Sequence, residues 1–279
     1  MKLTYGADPE VFIVNKATGN IHPICGLIGA DKKKPRQLKG YPRGYCVQED
    51  NVMLEYNIPP SDTPTKFASA VHQGLLAANE YLMNKHDGKY LITDGSAYQF
   101  RDEQLRIDGA ATFGCSPDYL AYEPHEATQA IDEDQLREND MNWRCAGGHI
   151  HIGYDMTEVP PHVVAMLCDA FIGIPSVIHD KQGVRRKLYG QPGRYRVTRY
   201  GVEYRSLSNY WIFDQGHLNS VAAQLGAINN LLNKGKKEVQ KFVNSVPWET
   251  VRQTILNEDV TRVTELVPFI QRFHEEGYA

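Results

Sequence analysis

Four groups of residues in this chain could do chemistry. Asp8 and Glu10 stand two apart in GADPEVFIV, a spacing that puts both carboxylates on one face of a strand. Two carboxylates about 4 Å apart cost roughly 4 kcal/mol at an effective dielectric near 20. A divalent cation that prefers oxygen ligands, such as Mg²⁺, removes that cost. Glu49 and Glu55 in QEDNVMLEYN have an even separation, so a regular strand gives them one face, shared with Asn51 and Asn57. His149 and His151 in GGHIHIG share a strand face between glycines. Imidazoles so placed serve as metal ligands or as donors to phosphate, and the glycines allow a ligand to come close. The fourth group is basic: Lys181, Arg185, Arg186, Lys187, Arg194, Arg196, Arg199 and Arg205, with Glu203 among them. Guanidinium groups grip phosphate through paired hydrogen bonds.

Each group alone also has a plain reading, as a solvated acidic strand face, a hydrogen-bonded structural histidine pair or a basic surface loop. Together they supply carboxylates and histidine for a metal and arginine for phosphate, the means of nucleotide-dependent phosphoryl transfer. Neither a Walker A loop nor a GxSxG elbow occurs. The remaining histidines, His22, His72, His86, His125, His162, His179, His217 and His274, are scattered and read as serving no site.

These residues need elements to hold them. Alternation of Leu3 and Tyr5 and then Val11 and Ile13 predicts a strand around an interrupting Asp-Pro, and 46–60 reads as an extended segment. Pro64 behind a capping Asp62 or Thr63, with Phe67, Val71, Leu75, Ala78 and Leu82, predicts a helix over 61–85. Strands are expected at 90–96, 113–122 and 144–155, and helices at 162–174, 217–237, 248–256 and 259–274. Residues 22–45 and 183–194 read as loops, the second a candidate lid from its glycines. The chain has 279 residues, 42% hydrophobic and 23% charged, which excludes wholesale disorder and suffices for a full core. With no composition break, one α+β domain over 1–279 is the simpler expectation. A net charge of −4 argues against a general nucleic-acid binder. No apolar run is long enough to span a bilayer, and MKLTYGADPE has no signal-like apolar core, so a cytoplasmic protein is expected. Five dispersed cysteines without a CxxC predict reduced thiols.

The ordered set G-A-D-P-E, E-x5-E-Y-N-x-P-P, G-C-S-P-D-Y, G-G-H-I-H-I-G and G-V-E-Y-R, over residues 3–211, resembles the glutamine synthetase and glutamate–cysteine ligase superfamily. Within it the chain is most similar to the phage-type carboxylate–amine ligases, which would place it in a host cytoplasm. The resemblance implies a curved antiparallel sheet with helices on its convex side and metals and nucleotide on the concave face. The C-terminal helices, within 217–275, would pack on that domain. It implies Mg²⁺, or Mn²⁺ in its place, bound by Asp8, Glu10, Glu49, Glu55, His149 and Glu203. Glu10, Glu49 and Glu55 would hold one ion beside an acceptor carboxylate, and Asp8, His149 and Glu203 another across the phosphates of ATP. His151 and Arg205 would contact phosphate, with Arg194, Arg196 or Arg199 supplying a further arginine. The role of Ser116 and of Asp118 in the G-C-S-P-D-Y segment does not carry over.

The reaction so implied is ATP-dependent amide formation through an acyl phosphate, with Glu55, Arg196 and Arg205 closest to the chemistry. Other readings are a phosphotransferase on the same fold, a non-catalytic nucleotide- or metal-binding protein, and a hydrolase built on H-x-H. Small-molecule or peptide carboxylates and amines are the expected partners, with loops 22–45 and 120–142 setting specificity. The oligomeric state is open.

Overall fold

The computed structural model describes residues 2–108, 110, 118–127, 142–181 and 183–275. The fold is mixed, with antiparallel sheets on one side and helices on the other. The first sheet runs β1 (Thr4–Ala7), β12 (Ile150–Gly153), β14 (Gly201–Tyr204), β13 (Arg194–Thr198), β9 (Tyr119–Leu120) and β10 (Glu123–Ala127). The second runs β3 (Ile21–His22), β2 (Glu10–Asn15), β6 (Met53–Asn57), β5 (Cys46–Asp50) and β4 (Arg36–Gln37), and β7 (Tyr90–Thr93) also pairs with β2. A small ribbon joins β8 (Ala97–Gln99) to β11 (Trp143–Cys145).

Two strands that the sequence presents as continuous are split between these sheets. The first breaks at Asp8-Pro9. β1 pairs with β12, whereas β2 pairs with β6 and β7. Proline has no N–H to give a ladder and restricts the residue before it, so the chain changes sheets there. The second break separates β11 from β12 at residues 146–149.

Alternation along the first sheet sends Tyr5, Ala7, Ile150, Ile152, Val202 and Tyr204 into the core. Helices cover that apolar side. α1 (Pro64–Lys85) packs on β1, β6 and β7, α2 (Asp102–Leu105) is a single turn, and α3 (Pro161–Cys168) packs on β13 and β14. Thr63 caps α1 by accepting from the Lys66 N–H at 3.3 Å, with Pro64 in the first turn, as the sequence predicts. α3 continues through a π-helical turn, Asp169–Gly173, into Ile174–Ser176. Residues 183–188 form a helix, α4, where a loop was expected, because Arg185 and Arg186 are buried and hold it down. After α5 (Gln215–Asn233), Gly235 at φ +92° breaks the helix expected to reach 237. The chain restarts as α6 (Lys236–Ser245), then α7 (Trp248–Leu256) and α8 (Val260–Glu275). Four described cysteines are unpaired, and two of them, Cys145 and Cys168, are buried. Cys115, Ser116 and the acidic stretch 131–140 lie outside the described residues. No helix among the described residues is long and apolar enough to cross a membrane.

Candidate functional site

The polar face of the first sheet is laid out by its register. Gly6, His151, Glu203 and Arg196 stand opposite one another across β1, β12, β14 and β13. One step further along the alternation come Asp8, His149, Arg205 and Arg194, the last two joined by an Arg205 N–H to Arg194 carbonyl bond of 2.9 Å. Residues from four separate stretches of sequence thus share one surface.

Asp8, His149 and Glu203 place one ligand atom each within 4.8 Å of one another. Nδ1 of His149 lies 3.6 Å from Asp8 Oδ1 and 3.6 Å from Glu203 Oε1. Nε2 of His151 lies 2.9 Å from Asp8 Oδ1, and its Nδ1 lies 2.5 Å from the Tyr200 hydroxyl. Their surroundings shift the two imidazoles in opposite directions. Burial, with help from Arg205, pushes His149 down to about 4, so it stays neutral. Burial also opposes charge on His151, but Asp8 outweighs it and raises His151 above its ordinary value. Asp8 in turn, despite its own burial, is held well below the usual carboxylate range by the two histidines.

The glycines before the H-x-H pair have separate steric reasons. A Cβ on Gly147 would sit 2.2 Å from the ring of His149, and one on Gly148 would sit 2.2 Å from the Ser208 carbonyl. Trp211 Nε1 donates to the Gly148 carbonyl at 3.2 Å and fixes the strand entry.

The second sheet brings up a second acidic group. Glu10 stands opposite Glu55 and Glu55 opposite Gln48. Glu10, Asp50 and Glu55 again offer one oxygen each within 4.8 Å of one another. Burial and then Asp50 push Glu10 up to about 8, while the Gly147 N–H, 2.7 Å from Glu10 Oε2, pulls the other way. Burial and the Asp8 charge likewise hold Glu55 well above the usual range. The Lys32 ammonium reaches this group, 2.7 Å from Asp50 Oδ2 and 3.6 Å from Glu55 Oε2.

Glu49 is not in the group, and the expectation that it shares a face with Glu55 is corrected. β5 and β6 are joined by a tight turn at Asn51, whose φ is +56°. That reversal pairs Glu49 with Leu54 and Gln48 with Glu55, so Glu49 faces the opposite side. There its carboxylate accepts from the N–H groups of Gly26, Ile28 and Gly29 at 2.9, 2.6 and 2.7 Å. Asp50, which the sequence reading passes over, takes the position facing Glu10. The signal for it was the Asp-Asn pair at the turn.

The basic cluster is divided among several tasks. Arg205 contacts Glu203 through Nη1 and lies 3.5 Å from Asp118 through Nε. Arg196 Nη1 is 3.2 Å from Glu203 Oε2. Arg194 is buried in a fork with Asp118, both bonds 3.0 Å, so its guanidinium is committed to that carboxylate. Asp118 thereby gains a role that its sequence left open. Arg185 donates to the carbonyls of Ser206 and Arg205, and Arg186 bonds Ser176 and lies 3.6 Å from Asp180. Arg199 is exposed.

Two cavities meet this surface. A hollow of about 70 Å³ is lined by Glu10, Asp50, Arg144, Arg185, Tyr189 and Arg205. A larger one of about 390 Å³ is lined by Gly6, Asp8, Asn57, His151, Arg199 and Tyr200. A third, about 340 Å³, lies among the helices beside Phe171 and Ile270, with no titratable group in its lining.

Residues 135–247 match the family described as phage phiEco32-like COOH.NH2 ligase-type 2. The resemblance to the carboxylate–amine ligases stands. The matched segment carries His149, His151, Arg196, Glu203 and Arg205 of the polar surface described above. No curated protein sequence matches the chain. Among solved structures, a bifunctional glutathione synthetase from Pasteurella multocida is similar at 13% identity and a TM-score of 0.36, covering 97% of this chain and 49% of that one. The chain spans about half the length of that enzyme.

Proposed function

We propose that this protein is an ATP-dependent carboxylate–amine ligase that makes an amide bond through an acyl phosphate, on a glutamine synthetase-like catalytic fold. The observation that carries the reading is the meeting of Asp8, His149 and Glu203 with Glu10, Asp50 and Glu55 at one seam between two sheets. The match of residues 135–247 to a carboxylate–amine ligase family supports it.

Divalent cations suit these groups. Both sets are mainly carboxylate, the donor type of Mg²⁺ and Mn²⁺, and in the second a single ammonium faces three acids. Asp8, His149 and Glu203 would hold one ion against the phosphates of ATP. Glu10, Asp50 and Glu55 would hold another beside the acceptor carboxylate, with Asp50 in the place expected of Glu49. Bound there, the cations neutralise charge on the reacting oxygens.

The chain's own groups then have defined tasks. Neutral His149 offers a ring nitrogen lone pair. His151 would present a ring N–H to a phosphate oxygen in place of its Tyr200 hydroxyl partner. Arg205 and Arg196 are braced by Glu203 and direct their free N–H groups at the transferring phosphoryl group. The 390 Å³ cavity beside His151 accommodates the nucleoside, with the half-exposed ring of Tyr200 as a stacking surface and Arg199 at its edge. An acceptor carboxylate oxygen attacks the γ-phosphorus and ADP leaves. The amine nitrogen then attacks the acyl carbon, and phosphate departs with the former carboxylate oxygen. The burial of Glu10, Glu55 and Glu203 keeps water from the acyl phosphate.

Positional isotope exchange in labelled ATP tests the reading. Incubation with Mg²⁺ and pooled carboxylic acids, without amine, should scramble the label only when a carboxylate is present. Adding amines should give ADP and a condensation product by mass. Stable phosphorylation of a substrate with no amide product would overturn the ligase in favour of a phosphotransferase.

A further inference from the structure

Lys32 sits where a cation is called for. Its ammonium is 2.7 Å from Asp50 and 3.6 Å from Glu55, while the rest of its side chain is about half exposed, at 53%. The loop that carries it is built to deliver it. Glu49 fixes the base of the loop by accepting three main-chain N–H groups from Gly26, Ile28 and Gly29. The Glu49 N–H bonds the Ala30 carbonyl at 2.8 Å, so the loop is tied to β5 at the residue before Asp50. Asp31 then closes a tight turn, its Oδ1 accepting from the N–H groups of Lys33 and Lys34, both at 2.9 Å. Of the three consecutive lysines, the turn sends only Lys32 inward. Lys33 and Lys34 are exposed and have no acidic ion-pair partner among the described residues.

We propose that Lys32 is a cation-selecting residue: its ammonium occupies the Glu10–Asp50–Glu55 position and must be displaced before a divalent cation enters. This rests on the reading above that such a cation binds there. Two positive groups cannot share three carboxylates at contact distance, so occupancy is exclusive. A monovalent ion brings no more charge than the ammonium it would replace, and it does not come tethered at high local concentration as the lysine does. A divalent ion brings twice the charge to the same oxygens. The site therefore discriminates by charge, and its filling releases Lys32 and the Asp31–Lys34 turn from β5. The freed ammonium stays tethered at the mouth of the site, where an anionic substrate arrives. Metal and acceptor are thus taken in that order.

The experiment uses the full chain and Mn²⁺ alone, with free Mn²⁺ read by electron paramagnetic resonance. Wild type should show two classes of site, and Lys32→Met should tighten one class by tenfold or more while leaving the other unchanged. Lys32→Arg, which retains a cation, should leave that class weak. Asp8→Asn should remove only the class that Lys32→Met does not affect. Trypsin cleavage after Lys33 should accelerate on Mn²⁺ addition in wild type and be fast without it in Lys32→Met. Equal Mn²⁺ affinities in wild type and Lys32→Met would overturn the exchange while leaving the metal reading intact, and weaker binding by Lys32→Met would do the same. Failure of both proteins to bind Mn²⁺ would overturn the metal reading and this inference together.

Discussion

Replacing Glu10 by glutamine should make the cation-free protein more stable and abolish its chemistry. Glu10 is crowded by Asp50 and buried, and its folded-state value is about 8 against an ordinary 4.5. Below the ordinary value both folded and unfolded states hold the proton and nothing is lost. Between the two values the unfolded chain ionises while the fold keeps its proton, so stability falls as pH rises. Above about 8 the cost is complete, on the order of 5 kcal/mol if neighbours do not relax. Glutamine carries no charge and its carbonyl still accepts the Gly147 N–H that Glu10 now takes at 2.7 Å. Urea unfolding in chelator at about pH 8.5 should therefore find Glu10→Gln more stable than wild type by several kcal/mol, and at about pH 4.5 the two should nearly coincide. Adding Mg²⁺ should raise the stability of wild type more than that of Glu10→Gln, which keeps only the Asp8–His149–Glu203 group intact. A glutamine variant that is less stable than wild type at high pH without metal would refute the reasoning, because it would mean that the acidic group is not strained when empty.

Gly6→Val should fill the larger cavity, because a Cβ at Gly6 meets only the His151 Cβ, at 3.6 Å. Nucleotide affinity by calorimetry should fall tenfold or more with Tm unchanged, and unaltered binding would remove the nucleoside from that cavity. Tyr200→Ala should weaken nucleotide binding by about 1–3 kcal/mol through lost stacking, and Tyr200→Phe should separate stacking from the hydroxyl bond to His151. Arg205→Lys keeps the charge but loses the fork between Glu203 and Asp118, and amide formation should drop about 100-fold or more. Turnover within threefold of wild type would remove Arg205 from the reacting phosphoryl group.

Periodicity made the histidine pair legible, because β12 is a regular strand and its neighbours keep its register. The acidic residues of the first sheet were legible for the same reason. Parity failed at Glu49, since counting even steps assumes an unbroken strand and Asn51 reverses the chain between the two glutamates. The basic segment was visible as composition, but composition does not say which guanidinium meets a carboxylate. That depended on Asp118, 76 residues away from Arg194 in the chain. Lys32 falls within residues 22–45, which the sequence presents only as a loop, and the long-range hold of Glu49 is what fixes that loop beside Asp50. α4 and its two buried arginines were hidden for a similar reason, because partners such as Ser206 and Asp180 come from other segments.

The passage of the chain from one sheet to the other occupies only Asp8 and Pro9, between the end of β1 and the start of β2. Each acidic set takes one member from the ends of that dipeptide link, Asp8 to one side and Glu10 to the other. With so little slack, a tilt of either sheet drags both ligand sets along. The two sets are thus hinged at one short joint, with no lever arm or long relay between them.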